Sequence, residues 1–418
     1  NVASVPNLKY VLLLCYTGMR LSEMLGAMTE NYSPEAGYVI TGSKTTVGLF
    51  SNTYYGHIKN LIVENAQVSG YLNVGVVAGT PYTTKYTNIT VKGHIEVNGM
   101  AYVGAVGGKN AYANWTNVTV NADATSYVKA NSVENGTAYR TYVGGVVGFN
   151  GEGGHSFTNI TSNINVYGST VDVGGAFGIA HYGNKFENIT VTGNVTITNA
   201  AEAADAEEMG GIAGVWHNET GYEVSFIDCV FTGKLTANVD ADLSDNTITG
   251  KAYSATGKGT LVIINYVTID GVIYANDLVN GKTILYLVPA DYEGTTVNVP
   301  EGVDTIGNYA FAYNSNVKEV VLSSTVRDLG RGFDSAPSVE KVVLNEGLTT
   351  ISSRAFKSTT ALKEVVFSST ITEIADNAFQ KSGIKEIVIP ASVKTIGEAA
   401  FGSSLIETVT FEGDIAIQ

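Results

Sequence analysis

Short apolar and polar alternations, separated by glycine and asparagine, recur along the chain from about residue 48 to about residue 238. Residues 142–166, YVGGVVGFNGEGGHSFTNITSNINV, show one unit of this pattern. The unit predicts three β-segments, 143–148, 157–161 and 164–166, because alternation with period two and flanking turn residues are typical of short strands. The pattern therefore predicts a repeating all-β unit.

The repeat has a period of about 29 residues. A glycine-rich segment leads through a polar loop to an aromatic residue, any residue, Asn, then Ile or Val and Thr. Three strands in about 29 residues predict a triangular, right-handed parallel β-helix, in which equivalent residues stack from coil to coil. We expect the repeated aromatic to stack inside the coils and the repeated Asn to exchange side-chain hydrogen bonds between them. The positions concerned are Asn60, Tyr86, Asn88, Trp115, Asn117, Phe157, Asn159, Phe186, Asn188 and Phe226, with Asp228 as a variant.

The motif VGGxxG followed by Phe-x-Asn-Ile-Thr resembles GLUG-type repeats. Such repeats occur in bacterial surface adhesins and in the non-catalytic part of IgA-cleaving metallopeptidases. The resemblance implies a β-solenoid over 48–240 and adds no catalytic residue.

A second periodicity follows. Phenylalanines recur 22 or 23 residues apart, mostly after Ala, at Phe311, Phe333, Phe356, Phe379 and Phe401. One β-segment lies between each pair, so the spacing predicts a solenoid with one parallel strand per repeat and the phenylalanines behind it. The pattern resembles closely the BspA-type leucine-rich repeat of bacterial and protist surface proteins. Residues 269–289 are similar to the hairpin that often precedes such repeats, and Phe333, which follows Gly rather than Ala, puts one turn in doubt.

Charged residues mark the outward side of these strands. We expect lysines and the glutamates that follow them to stack one repeat apart and to form mixed-charge columns on the concave face. This face is the candidate ligand-binding surface, although a merely solvated face is the alternative. The residues are Lys318, Lys341, Lys363, Lys385, Glu319, Glu364 and Glu386.

The first 47 residues differ from the rest. Apolar positions within residues 8–28 follow a helical period, which predicts a short N-terminal helix, and residues 38–46 predict a strand and turn. The segments LLLCYTGMRLSEML and GYVITGSKTT resemble a fragment of the tyrosine recombinase catalytic domain. The resemblance implies that Arg20 and Lys44 match phosphate-contacting residues of that family and that Glu23 matches a structural acid. None of the five histidines has Arg three positions later, so we do not expect recombinase activity.

Composition excludes some classes of function. The net charge of −15 and 15% charged residues oppose nucleic-acid binding, which needs basic patches.

Other features that would indicate a site or a compartment are absent from the sequence. Two distant cysteines predict no disulfide framework, and no apolar run is long enough to span a membrane. Acidic residues in the first solenoid are scattered, so we expect no enzyme activity and no cofactor. We also expect no metal site, since four loop histidines stand at different offsets from the aromatic anchor and are not expected to stack in register. Loop tyrosines leave a sugar-binding face open: Tyr54, Tyr55, Tyr82, Tyr112 and Tyr182.

Together these observations predict a mainly β chain with four parts: an integrase-like segment (1–47), a GLUG-like β-solenoid (48–240), a junction (241–265) and BspA-type leucine-rich repeats (266–418). The resemblances imply a non-catalytic bacterial protein, secreted or at the cell surface, that mediates adhesion or protein–protein interaction. Its expected partner is a host or matrix protein or another surface protein, with a glycan left open. The alternative is a carbohydrate-binding or scaffold segment of a larger surface enzyme.

Overall fold

A computed structural model describes residues 32–33, 37–41, 45–131, 141–151, 154–169, 172–181, 183–197, 209–217, 219–237, 248–249, 260–414 and 416–417. The chain divides into two compact units, residues 1–263 and residues 264–418. All regular elements in these described residues are β-strands, numbered here in chain order. The N-terminal helix predicted over residues 8–28 lies outside the described residues, as do Arg20, Glu23 and Lys44.

Unit 1 is a solenoid of three strand rows that pair in parallel from coil to coil. Stacked parallel strands bury their shared interior and satisfy their backbone groups with the neighbouring coils. The first row is β3 (Thr46–Val47), β6 (Asn73–Gly75), β9 (Tyr102–Gly104), β13 (Tyr142–Gly144), β17 (Asp172–Gly174) and β21 (Met209–Gly210). The second row is β4 (Phe50–Tyr54), β7 (Ala78–Tyr82), β10 (Gly107–Asn110), β14 (Val147–Asn150), β18 (Phe177–Ala180) and β22 (Ala213–Trp216).

The third row is longer and bent, and carries one or more strands per coil. It consists of β5 (His57–Ser69), β8 (Lys85–Gly99), β11 (Asn114–Ala122), β12 (Tyr127–Asn131), β15 (Ser156–Ser162), β16 (Asn165–Ser169), β19 (Lys185–Val191), β20 (Val195–Ile197), β23 (Glu223–Ile227), β24 (Val230–Phe231) and β25 (Leu235–Ala237). Before these coils, β1 (Tyr32–Ser33) pairs antiparallel with β2 (Gly37–Thr41), and β2 pairs in parallel with β5. Parallel pairing therefore begins before residue 48.

The glycine-rich segments are corners, which corrects the prediction of a single strand over residues 143–148. The chain bends between β13 and β14, so the segment supplies one strand to each of two rows. A Cβ built on Gly144 would meet the carbonyl oxygens of Val147 and Ala176. Glycine is needed here because the backbone of the next coil passes too close for a side chain.

Both predicted columns of the solenoid are confirmed. Tyr86 stacks on Trp115 with ring centroids 4.0 Å apart, and Phe186 stacks on Phe157 at 5.0 Å, all four rings being buried. The repeated asparagines form an exposed ladder in which each side-chain amide donates to the Oδ1 of the preceding coil. The distances are 2.8 Å for Asn88 to Asn60, 2.9 Å for Asn117 to Asn88, 3.0 Å for Asn159 to Asn117 and 3.1 Å for Asn188 to Asn159.

Unit 2 begins with an antiparallel hairpin and continues as parallel repeats, as predicted. Its first strands are β26 (Thr260–Ile269), which starts in unit 1, β27 (Val272–Asp277) and β28 (Lys282–Leu287). One row of repeat strands is β29 (Thr296–Asn298), β31 (Glu319–Val321), β32 (Lys341–Val343), β34 (Glu364–Val366), β36 (Glu386–Ile389) and β38 (Thr408–Phe411). A second row contains β30 (Thr305–Ile306), β33 (Thr350–Ile351), β35 (Glu373–Ile374), β37 (Thr395–Ile396) and β39 (Ala416–Ile417).

The phenylalanines fill the core of unit 2 as one column. The rings of Phe311, Phe333, Phe356, Phe379 and Phe401 stack at 4.9–5.2 Å with nearly parallel planes. A left-handed residue stands two positions before most of them, such as Asn377 with φ 58°. Before Phe333 the left-handed residue is Gly330, three positions away, so the turn that the sequence left in doubt does differ.

Candidate functional site

The strands of the first row in unit 2 present a charged surface. We call strand face the outward side chains of β31, β32, β34 and β36, together with the residue that precedes each strand. The middle residue of each strand points inward, since Val320 and Val342 are fully buried, while the flanking residues are exposed or half-buried. Alternation along a strand separates these two sets.

Two columns of alternating charge run across the strand face. Backbone pairing sets Glu319, Lys341 and Glu364 side by side. The Lys341 Nζ lies 3.6 Å from a carboxylate oxygen of each glutamate. The sequence predicted such alternation, and the structure places Lys341 in the glutamate column.

The second column lies one residue earlier. The Lys318 Nζ lies 3.5 Å from Glu340 Oε1, and the Lys363 Nζ lies 2.5 Å from Glu340 Oε2. The hydrogen bond from Lys363 is the main cause that lowers the pKa of Glu340, and the bond and charge of Lys318 add to it. Glu340 was not among the predicted residues of this face, because in this repeat the order of lysine and glutamate is reversed.

The alternation ends between β34 and β36. There Glu364 is followed in the next repeat by Glu386, and Lys363 by Lys385. Parallel pairing also stops at β34 and resumes between β36 and β38. The lysines point to other partners, since Lys385 lies 3.0 Å from Glu407.

A one-residue change in loop length coincides with this break. Leu362 follows Phe356 by six positions, whereas Ile384 follows Phe379 by five and Ile406 follows Phe401 by five. A shorter loop displaces the following strand relative to its predecessor, and strand pairing tolerates no such slip. The two repeats with the shorter loop pair with each other, in register from Glu386 and Thr408 onward.

An apolar column borders the charges. Val321 and Val343 are half-buried, and exposure then rises to 37% at Val366 and 53% at Val388. These valines were not predicted to belong to the face, although their place two residues after the charged position of each strand was visible in the sequence. The strand face therefore combines charged residues with an apolar stripe whose exposure rises from β31 to β36.

Unit 1 carries a second surface feature. The rings of Tyr54 and Tyr82 lie 5.2 Å apart, and Tyr82 and Tyr112 lie 5.5 Å apart, with His155 continuing the series at 5.5 Å from Tyr112. Tyr54 is 62% exposed and Tyr112 41%. Three of the predicted tyrosines thus form one column, while Tyr182 lies outside the described residues.

The expectation that loop histidines do not stack is wrong for one pair. The ring centroids of His181 and His217 lie 4.3 Å apart. Backbone pairing joins Ala180 to Trp216, the residues directly before them. Offsets counted from the aromatic anchor misled the prediction, because the register is set by the glycine-rich strands. Burial, with a contribution from His217, lowers the pKa of His181 to about 4.

Other chemistry is sparse in the described ranges. His94 lies 3.0 Å from Glu96 and 3.1 Å from Asp123, and the bond to Glu96 is the main cause that raises its pKa. No cluster of three or more His, Cys, Asp or Glu side chains suited to a metal ion occurs there. Cys229 is a free, buried thiol. Within the same ranges, no helix is long and apolar enough to cross a membrane.

Comparison with known protein families gives a match within unit 2. Residues 291–407 match the model of the BspA type leucine rich repeat region, in six copies. No curated protein matches the chain. The resemblances of unit 1 to GLUG repeats and of residues 1–47 to a recombinase remain predictions.

Solved structures of leucine-rich repeat proteins are similar over parts of the chain. A leucine-rich repeat protein from Bacteroides ovatus is 26% identical, with a TM-score of 0.31, over 34% of this chain and 40% of that one. The T. pallidum leucine rich repeat protein is 24% identical, with a TM-score of 0.30, over 34% and 70%. A leucine rich cell surface protein from Faecalibacterium prausnitzii is 14% identical, with a TM-score of 0.34, over 70% and 92%. The chain spans 40% of the length of the first of these.

Proposed function

We propose that this chain is a non-catalytic repeat protein of the bacterial surface, or secreted, which adheres to a host or matrix protein or to another surface protein through the strand face. The observation that carries the proposal is the surface of paired charges on β31, β32 and β34, exposed or half-buried, with an apolar stripe beside it. Its place in a matched BspA type repeat region agrees with protein–protein interaction. The surface location rests on the resemblance of these repeats to those of surface proteins.

The composition of the strand face favours a protein partner. Exposed ion pairs add little to the stability of the fold, about 0–1 kcal/mol each. Such pairs serve better to select a partner of complementary pattern and to exclude others. The valine stripe supplies the apolar area on which binding energy depends. Because both signs alternate within one repeat, the face lacks the uniform positive charge that a nucleic acid requires.

The test is a binding screen of the full chain against purified extracellular-matrix proteins. A charge exchange within one column, Lys341→Glu with Glu364→Lys, preserves net charge but reverses the pattern. We expect it to weaken binding of the matrix protein at least tenfold. The matched control, Lys394→Glu with Glu373→Lys, makes the same exchange on the second row of strands. Equal binding by both variants, or no binding by the parent chain, would contradict the proposal.

A carbohydrate-binding role is the second candidate, and the tyrosine column favours it. Aromatic rings one coil apart, of which Tyr54 and Tyr112 are exposed, offer successive apolar faces with polar tips, which suits sugars in a chain. The test is a glycan array with the full chain and with Tyr82→Ala plus Tyr112→Ala. Loss of a glycan signal in that variant, with the signal retained in Tyr313→Ala, supports this role. Tyr313 is 71% exposed in the other unit and controls for loss of any surface ring.

A further inference from the structure

A cleft lies at the break in the strand face. Its volume is about 650 Å³. Its lining includes Glu364 and the buried Val365 of β34, Glu386, the buried Ile387 and the exposed Val388 of β36, and Thr408 and Thr410 of β38. The cleft lies where parallel pairing between β34 and β36 is interrupted. The loop that precedes β36 is one residue shorter than the loop that precedes β34.

The charges around the cleft are unequally satisfied. Lys363, at its edge, is held at 2.5 Å by Glu340, which lies on the side of the preceding repeat. Glu364 has only the longer contact of 3.6 Å to Lys341. In the described part of the chain, Glu386 makes no ion pair. Two acidic residues thus line the cleft, while Lys363 at its edge is paired with Glu340.

Like charges in adjacent repeats are unfavourable where their side chains approach each other, because they repel. Among the described residues, no lysine forms an ion pair with both Glu364 and Glu386. A positive group placed between Glu364 and Glu386 continues the alternation that the rest of the column shows. Val365 and Ile387 in the lining offer apolar contact to an aliphatic stem. Lys and Arg side chains combine these two properties, since they bury a hydrocarbon stem and keep the charge at the edge.

We propose that this cleft receives a Lys or Arg side chain of the protein partner, flanked by aliphatic residues that pack on Val366 and Val388. The proposal rests on the proposed function of the strand face and specifies the chemistry of the partner there. The basic side chain lies with its stem on Val365 and Ile387 and its charge between Glu364 and Glu386. An acidic partner segment is disfavoured, because Lys363 and Lys385 each already have a carboxylate within 3.0 Å.

The experiment uses the full chain and a peptide library in which one central position is fixed as Lys, Arg, Gln or Glu and is flanked by uncharged residues. Retention on the immobilised chain is measured for each sub-library. We expect enrichment of the Lys and Arg sub-libraries with Val, Leu or Ile beside the fixed position. Glu364→Gln with Glu386→Gln should weaken binding of the selected peptide about tenfold, the size expected when exposed pairs are lost.

The control variant, Glu373→Gln with Glu398→Gln, removes the same net charge outside the cleft and should leave binding unchanged. Equal losses in both variants, or no preference for a basic central residue, would overturn the cleft proposal. Binding of the matrix protein is measured in parallel. If that binding depends on the column exchange but the library shows no basic preference, the role of the strand face stands and the cleft proposal fails.

Discussion

Lys363 and Glu340 lie in adjacent repeats, and their Nζ and Oε2 atoms are 2.5 Å apart. The other carboxylate oxygen of Glu340 lies 3.5 Å from Lys318, so one acid holds two lysines of its column. Both contacts are made by side-chain atoms on the outward side of the sheet. They also lower the pKa of Glu340 below its ordinary value of 4.5.

The first prediction concerns this pKa. Lys363→Gln removes the main cause of the shift, so the pKa of Glu340 should rise toward its ordinary value. The contribution of Glu340 to stability is present above the pKa of the unfolded chain and is lost as pH falls through the lower folded value. A carboxyl-carbon NMR titration measures the pKa directly. Lys394→Gln is the control, and equal midpoints in parent and Lys363→Gln would disprove the pairing.

The second prediction separates two roles of the asparagine ladder. Asn117 donates to Asn88, accepts from Asn159 and has φ 55°. Asn117→Gly keeps the left-handed backbone and loses the bonds, at a cost of about 1 kcal/mol in the free energy of unfolding. Asn117→Ala adds about 1 kcal/mol of backbone strain. Chemical denaturation followed by circular dichroism measures both costs, and equal costs would show that the backbone conformation is not what selects Asn.

A third prediction addresses the phenylalanine column. Phe356 stacks between Phe333 and Phe379 and is fully buried. Phe356→Ala should lower the free energy of unfolding by about 3–5 kcal/mol, because it leaves a cavity. Phe411 is 46% exposed, and Phe411→Ala should change that free energy by about 0.5 kcal/mol or less. Similar effects in the two variants, measured by thermal denaturation, would contradict the assignment of the column to the core.

The fourth prediction is a pH dependence in unit 1. The pKa of His181 is lowered to about 4, so the folded state favours the neutral ring. The unfolded chain binds a proton near pH 6.5, and stability therefore falls as pH decreases from about 6.5 to about 4. His181→Gln should flatten this decline in denaturation midpoints. His57→Gln serves as the control, since His57 is an exposed ring at the edge of a long strand. An unchanged slope in His181→Gln would refute the role of His181.

The elements that sequence patterns predicted well are those that repeat with a fixed offset. Asn117 and Phe356 each occupy a position that recurs in every coil or repeat, so stacking follows from the period alone. Repeated glycines predict tight corners or close neighbours, but alternation of apolar residues does not reveal where within residues 143–148 the bend falls or that Gly144 meets a neighbouring backbone. The pairing of His181 with His217 was missed because loop lengths differ between coils, and a count from the wrong anchor hides the register.

The charged columns show the same limit within the candidate site. Alternation of Lys341 with Glu319 and Glu364 was predictable from stacked strands. The participation of Glu340 was not, since its repeat reverses the order of acid and base. The break at Glu386 coincides with a loop that is one residue shorter. Only the three-dimensional pairing shows that two sheets meet there.

The central claim is that a partner protein covers the strand face, and carboxylate footprinting of the complex tests it most directly. The full chain, with and without a bound matrix protein from the screen, is labelled with a carbodiimide and an amine. We expect labelling of Glu319, Glu364 and Glu386 to fall several-fold on binding while labelling of Glu373 and Glu398 is unchanged. Uniform labelling in the two states, or protection confined to unit 1, would contradict it.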